Sequence, residues 1–445
     1  MFSKRIAVWA LAGALAATSE AQVEEELPLH GAPAGAFAGS LTREGLIAGV
    51  LGRNPNLRAL CSEVRAAGER GAQSSALEDP MLSWRVAPLS IGSSDVDYGQ
   101  ELHFSQRLPY PGRRGLARQA SDAEAEGLAR GYQAAGADLV LEALLLFDDL
   151  WETDRAIELN AEHAELLGDL QRIATARYAA GVASQQDPLQ AEVEVAHREH
   201  EAMVLRSRRE VLRAGINALL HLPPRAQLPP PALEPIRTAP LPDEEHALFE
   251  EALAARPEIR RLDAIRRARD AELDLAALER RPMFEVNASY NSMWAMTEHQ
   301  WMAGAGVTLP LRGARIRAGI AEAEARLAAV KSSREAAVDR VRLEVATAVE
   351  RLREAHHVLD LNRDRLLPAA RDRQRAALAG FESGANDFSA VIAAERELRE
   401  AQMDDYEARA GIDRRQADLD RALGRLPAAS GCDQPRGYEG DSDEL

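Results

Sequence analysis

A chain of 445 residues that is 46% hydrophobic and 28% charged can bury a substantial core and is too apolar for general disorder. Aromatics make up only 4%, while Ala, Arg, Glu and Leu dominate, which favours long helices over a sheet-rich globule. The formal net charge of −17 is carried as interleaved Arg and Glu, so no basic nucleic-acid face is present and an acidic conduit would favour cations.

Residues 1–21 read as a secretory signal: Lys4 and Arg5 precede an apolar run from Ile6 to Ala17, and a small-x-Ala site ends at Ala21. That run of about 12 residues is too short to span a bilayer, so cleavage before Gln22 and export are expected. No later stretch holds 18 consecutive apolar residues, so any membrane span has to be a β-barrel, the other way to satisfy every backbone polar group in lipid. Residues 22–222 form a first unit with a hairpin over 80–109 and long helices whose tip lies near Gly181. A Pro-rich linker over 223–242 leads to a second unit over 243–426, with a hairpin over 282–310 and a tip near Gly384. The acidic tail over 427–445 is expected to be disordered. Cys61 and Cys432 do not make a disulfide framework, and pairing across that separation is not expected.

The two units read as copies, because four landmarks recur in order at a nearly constant offset. Asn54-Pro55 matches Arg256-Pro257 and Asp79-Pro80 matches Arg281-Pro282. Leu108-Pro109 matches Leu309-Pro310, and Tyr178 to Gly181 matches Phe381 to Gly384. Each hairpin alternates. Leu82, Trp84 and Val86 oppose Met81, Ser83 and Arg85, while Phe284, Val286, Ala288 and Tyr290 oppose Glu285, Asn287 and Ser289. Such strands, of about 10 residues, suit a transmembrane barrel with a lipid face and a water face. Four strands cannot enclose water, so a barrel requires several chains, and a trimer would supply twelve strands.

The stretch from Arg113 to about Ala176 lacks proline and predicts a helix of about 95 Å. Its heptad-like apolar positions are Leu139, Leu146, Leu150, Ile157, Leu166, Leu170 and Ile173. The second copy runs from about Ala314 to Leu367, where Pro368 interrupts or kinks it. Helices from Asp187 to about Leu220 and from Asp387 to about Leu423 follow the Gly turns, with Ser184 or Asp387 able to cap them. The fold class is therefore mainly α with a small β part, internally duplicated, with coiled-coil-like helical hairpins and four transmembrane strands per chain.

The run Phe104-Ser105-Gln106-Arg107-Leu108-Pro109-Tyr110-Pro111-Gly112-Arg113 and the tip Arg177 to Asp187 resemble the TolC-type outer-membrane efflux family, in particular its CzcC-like, heavy-metal branch. The resemblance spans roughly residues 41–425. It implies a homotrimer with a 12-stranded barrel in the outer membrane and a helical barrel in the periplasm. It also implies a periplasmic adaptor docked at the tips and an inner-membrane RND-type pump that supplies the energy. The implied role is a passive exit duct, for heavy-metal cations or alternatively for drugs or secreted polypeptides. In the second copy Ala390 and Ala393 stand where some members carry acids, leaving Asp387 as the nearest one. A reading of another class, a soluble periplasmic coiled-coil scaffold, fits the helices without the barrel.

Gly181, Val182, Gly384 and Ala385 are the candidate adaptor-docking tips, or ordinary turn residues. Asp187 and Asp387 are candidates for an acidic ring at the tunnel mouth, or helix N-caps. Met293, Met296, His299 and Met302 could touch a soft metal transiently, or simply fill a loop and strand end. His356 and His357 face different sides of a helix and read as surface residues. Asp148-Asp149 and Asp404-Asp405 read as solvated helix faces. No nucleophile elbow, phosphate loop or metal-ligand spacing occurs, so no enzyme activity and no cofactor are expected.

Overall fold

The computed structural model describes residues 39–92, 94, 96–232, 245–429 and 432. The signal segment, residues 233–242 of the linker and most of the tail lie outside them.

In the first copy, α1 (Arg43–Arg53) and α2 (Pro55–Ser75) are separated at Asn54, because Pro55 disfavours helical geometry in the residue before it. Asn54 turns that break into a cap, its Oδ1 accepting the Asn56 amide at 2.9 Å. Strands β1 (Met81–Val86) and β2 (Gln100–Leu108) follow, then α3 (Arg113–Ala179) and α4 (Gln186–Leu219). The second copy repeats the order: α5 (Glu245–Ala255), α6 (Pro257–Leu278), β3 (Met283–Asn291), β4 (Trp301–Thr308), α8 (Gly313–Leu361), α9 (Leu367–Glu382) and α10 (Phe388–Leu423), with the short α7 (Thr297–Gln300) between its strands. The predicted break near Pro368 is a π-helical turn, Asn362–Leu366, between α8 and α9. Pro368 lacks an N–H and its ring crowds the carbonyl of Asp364, and the wider turn relieves both without ending the rod.

The four strands form one antiparallel sheet in the order β1-β2-β3-β4. From it, α2, α3, α6 and α8 run side by side as a wall. Toward the tips the wall consists of α3 with α4 and α10 with α9. At 67 residues, α3 extends about 100 Å.

The core is a string of clusters along the wall, and the copies build two of them from the same positions. Leu46, Val50, Ala143, Phe147, Leu150, Ile216, Leu219 and Leu220 form one. Leu248, Ala252, Val345, Val349, Leu352, Leu419, Ala422 and Leu423 form its counterpart. The heptad stripe read from the sequence is only partly the buried one: Leu150 and Leu170 are buried, but Ile173 is exposed. Because α3 meets α2, α6, α4 and α10 along its length, no single seam can serve it.

Three expectations are corrected. Asp148 is not solvated: Arg43, itself buried, bonds Asp148 at 2.6 Å and Asp413 at 2.8 Å while its guanidinium lies over Phe147. Asp149 is engaged by Arg414, and Asp405 is buried with Arg409 at 2.7 Å. Cys61 and Cys432 are bonded to each other, with Cα atoms 5.4 Å apart, since the segment after α10 returns to α2 whatever the chain separation. The start of the tail is therefore ordered: Ala429 is buried beside Gly136 and Tyr132. The linker's first part is also tied down, Leu41 exchanging backbone hydrogen bonds with Pro230 and Ala232.

Candidate channel wall and helical tips

Residues directly opposite one another in an antiparallel pair share a face, so the register sorts the sheet's side chains. Leu82 faces Phe104, Trp84 faces Leu102, and Leu102 faces Tyr290. Phe284 faces Val307, and Tyr290 faces Trp301. One face is thus apolar almost throughout, interrupted by Gln100 and Gln106. The other carries Ser83, Arg85, Glu101, His103, Ser105, Arg107, Asn287, Ser289 and Thr308. Among the described residues nothing covers the apolar face: Trp84 is 64% exposed and Trp301 69%. Among the described residues β1 and β4 each leave an edge unpaired. Among the described residues no helix is long and apolar enough to cross a membrane, which leaves a strand-built span untouched.

At the opposite end each long helix closes on a left-handed glycine, Gly181 at φ 72° and Gly384 at φ 76°. Val182 N donates to Arg177 O at 3.0 Å and Ala385 N to Gly380 O at 2.7 Å, so both turns satisfy the terminal carbonyls in the same way. Val182, Gly384 and Ala385 are exposed, as is Gly181, so all four candidate docking positions sit on the outside of the tips. The two tips are locked together beneath them. Arg177 of the first lies over the Phe381 ring of the second, and Phe381 packs on Phe388 with centroids 5.7 Å apart.

The two candidate acids differ. Asp187 lies in the first turn of α4, where Ser184 Oγ donates to it at 3.1 Å and also accepts the Gln186 amide at 3.1 Å. Asp387 occupies the N-cap position of α10 but its side chain makes no cap bond, so its exposed carboxylate is not committed to the helix. The Met293 group is not gathered. Met293 packs toward Gly99 of the first hairpin, His299 lies edge-on to Trp294, and Met302, the second residue of β4, lies on the polar face opposite Ser289. Among the described residues no three His, Cys, Asp or Glu side chains form a metal-ligand group.

These parts now have counterparts. Residues 248–425 match the family model Outer membrane efflux protein. That region is the second copy of the repeat. A comparison with curated sequences finds no match. Solved structures match over both copies. The outer-membrane channel OprN aligns with a TM-score of 0.74 at 21% identity, over 86% of this chain and 89% of its own. CusC aligns at 0.75 and 17%, over 86% and 92%. The outer membrane protein VceC of Vibrio cholerae aligns at 0.72 and 16%, over 86% and 96%. The chain has the fold of these outer-membrane channels.

Sequence reasoning missed the buried polar layer that welds α3 to α10. His163 Nδ1 lies 2.5 Å from Glu395 Oε1, and its Nε2 is 2.8 Å from Gln402 Oε1. Arg414 joins the same two helices through Asp149 and Glu152. Polar residues at inward helical positions were the available signal. At the junction of the second copy, burial alone would raise the Glu258 carboxyl, but hydrogen bonds from Arg421 and Arg256 overcome it and hold it at about 2.

Proposed function

We propose that this protein is the outer-membrane exit duct of a tripartite efflux system, assembled as a homotrimer. The observation that carries the reading is the sheet, which exposes one apolar face, keeps one polar face and leaves two open edges. That is one-third of a twelve-stranded barrel with lipid outside and water inside. The helical wall, about 100 Å long, then extends the conduit into the periplasm. A soluble scaffold would have no reason to expose Leu82, Trp84, Phe284 and Trp301 together.

The duct has no energy source of its own, so an inner-membrane RND-type pump drives it, linked by a periplasmic adaptor seated on Gly181, Val182, Gly384 and Ala385. Asp387 and Asp187, one at each tip, form the threefold acidic ring at the tunnel mouth, which attracts cations. Heavy-metal cations are the proposed cargo, supported by the resemblance of the hairpin-exit run to the heavy-metal branch and by the acidic balance of the chain. The test has three arms. The mature protein should extract from outer membranes only with detergent and migrate as a heat-modifiable trimer. It should conduct ions in planar bilayers, with cation preference reduced in Asp187→Ala, Asp387→Ala. Deleting it should sensitise cells to copper, silver, zinc, cobalt or cadmium, and sensitivity to dyes and detergents alone would end the metal reading.

A further inference from the structure

The two copies build their pairs of long helices from corresponding positions, and at one level the pairs differ. Helices α4 and α10 keep a single register from Gly181 and Gly384 to His221 and Gly424, all but His221 being glycine and all with positive φ. Along α3 and α8, Asn160 corresponds to Asn362, 202 positions on (362 − 160), whereas the tip glycines are 203 apart (384 − 181). The π-helical turn Asn362–Leu366 absorbs the extra residue.

In the first copy the helix pair is closed beside this level. Asn160 Nδ2 donates to Arg198 O at 3.0 Å, Ala156 is 2% exposed, and Arg208 of α4 reaches Glu152 of α3 at 3.5 Å. In the second copy it is open. Asn362 is 2% exposed, yet neither polar atom of its carboxamide has a partner, and Val358, in the place of Ala156, is 45% exposed. Gly411 stands in the place of Arg208, and a Cβ added there would meet no atom within 4 Å. Glu354, in the place of Glu152, makes no side-chain hydrogen bond or ion pair among the described residues. These four residues line one cleft of about 440 Å³ between α8 and α10.

The rest of the lining sets the charge of an occupant. Arg414 is engaged by Asp149 and Glu152, and Arg415 by Asp418. Among the described residues that leaves the guanidinium of Arg351 against the uncommitted carboxylates of Glu354, Asp404 and Glu407. Burial, with Glu400 nearby, pushes the Asp404 carboxyl above its ordinary value, as expected of an acid that lacks a cation. Val358, Leu361 and Leu366 supply an apolar wall.

We propose that the cleft binds a small organic cation, a guanidinium head on an apolar stem, seated on Glu354 as Arg208 is on Glu152, with the Asn362 carboxamide as a further hydrogen-bond partner. The first copy carries its own guanidinium at this place, and the second leaves the place vacant for one. The site needs only α8 and α10 of one chain, so it stands apart from the duct reading.

The test titrates n-butylguanidinium into the full-length protein in detergent by isothermal calorimetry. Saturable binding at one site per chain is expected, and pentanoate, of similar size and opposite charge, should give none. Glu354→Gln should weaken binding about tenfold. Gly411→Arg, which restores the arginine of the first copy, should abolish it, while Gly411→Ala should bind as wild type does. Since it replaces a helical glycine, Gly411→Arg should melt no lower than wild type, and if it fails to fold, Glu354→Gln decides. Absence of saturable binding to wild type, or equal binding to wild type, Glu354→Gln and a folded Gly411→Arg, overturns the site. Pentanoate binding as well as the guanidinium overturns its preference for a cation.

Discussion

Arg43 shows how a single buried cation can organise three helices. It reaches from α1 to Asp148 on α3 and Asp413 on α10, over the ring of Phe147. Replacing it with Met keeps the apolar contact with Phe147 but removes the guanidinium from two carboxylates in the core. Arg43→Met should cost about 3–5 kcal/mol in denaturant unfolding, where a surface substitution such as Arg70→Met should cost under about 0.5. Glu258 gives the corresponding pH dependence. Its folded value of about 2 is below the ordinary 4.5, so the stability it contributes is fully present above 4.5 and disappears as the pH falls toward 2. Glu258→Gln should therefore melt lower than wild type at neutral pH, and the two melting curves should converge near pH 2. A constant gap across that range would mean that the Arg421 and Arg256 contacts stabilise by shape rather than charge.

At the scale of elements, the hairpins, long helices and Gly turns were legible because each follows from local chemistry: period-2 alternation, a long proline-free stretch, and glycine where φ must be positive. What was not legible was non-local. Nothing around Asp148 in the sequence says that Arg43, far along the chain, will arrive beside it, so a solvated face was the reasonable expectation. The acidic tail likewise looked unable to bury anything, yet Ala429 lies where Gly136 leaves no Cβ in the way, and Cys432 is bonded to Cys61 of α2. That bond implies an oxidising compartment, in keeping with export. The Cys61→Ser, Cys432→Ser variant should lose about 2–5 kcal/mol, and trypsin should then cut at Arg425 faster than in wild type. Unchanged cleavage would show that the packing of Ala429 holds the tail without the bond. The π-helical turn belongs to an intermediate class: Pro368 announces a disturbance, but whether a rod breaks or widens depends on the α10 neighbour that keeps α8 and α9 in line.

For the whole molecule, the proposed trimer assigns the sheet's two faces to different solvents, and the strand register supplies the test. Ala288 lies on the apolar face, opposite Phe104 and Ala303, while Asn287 next to it lies on the polar face, opposite Ser105 and Gly304. A lysine at either position is the same chemical change at nearly the same depth. If the apolar face meets lipid, Ala288→Lys should cost about 2–4 kcal/mol near the midplane and deplete heat-modifiable trimer from the outer membrane. Asn287→Lys points into water, should assemble normally, and should shift single-channel selectivity toward anions. Fractionation and conductance of the two variants form one comparison. Equal assembly with Ala288→Lys would place that face in water and reverse the barrel. Loss of assembly in both would indicate that the sheet packs against protein on both sides. Neighbouring residues in one strand thus separate three environments that an isolated chain presents alike as exposed surface.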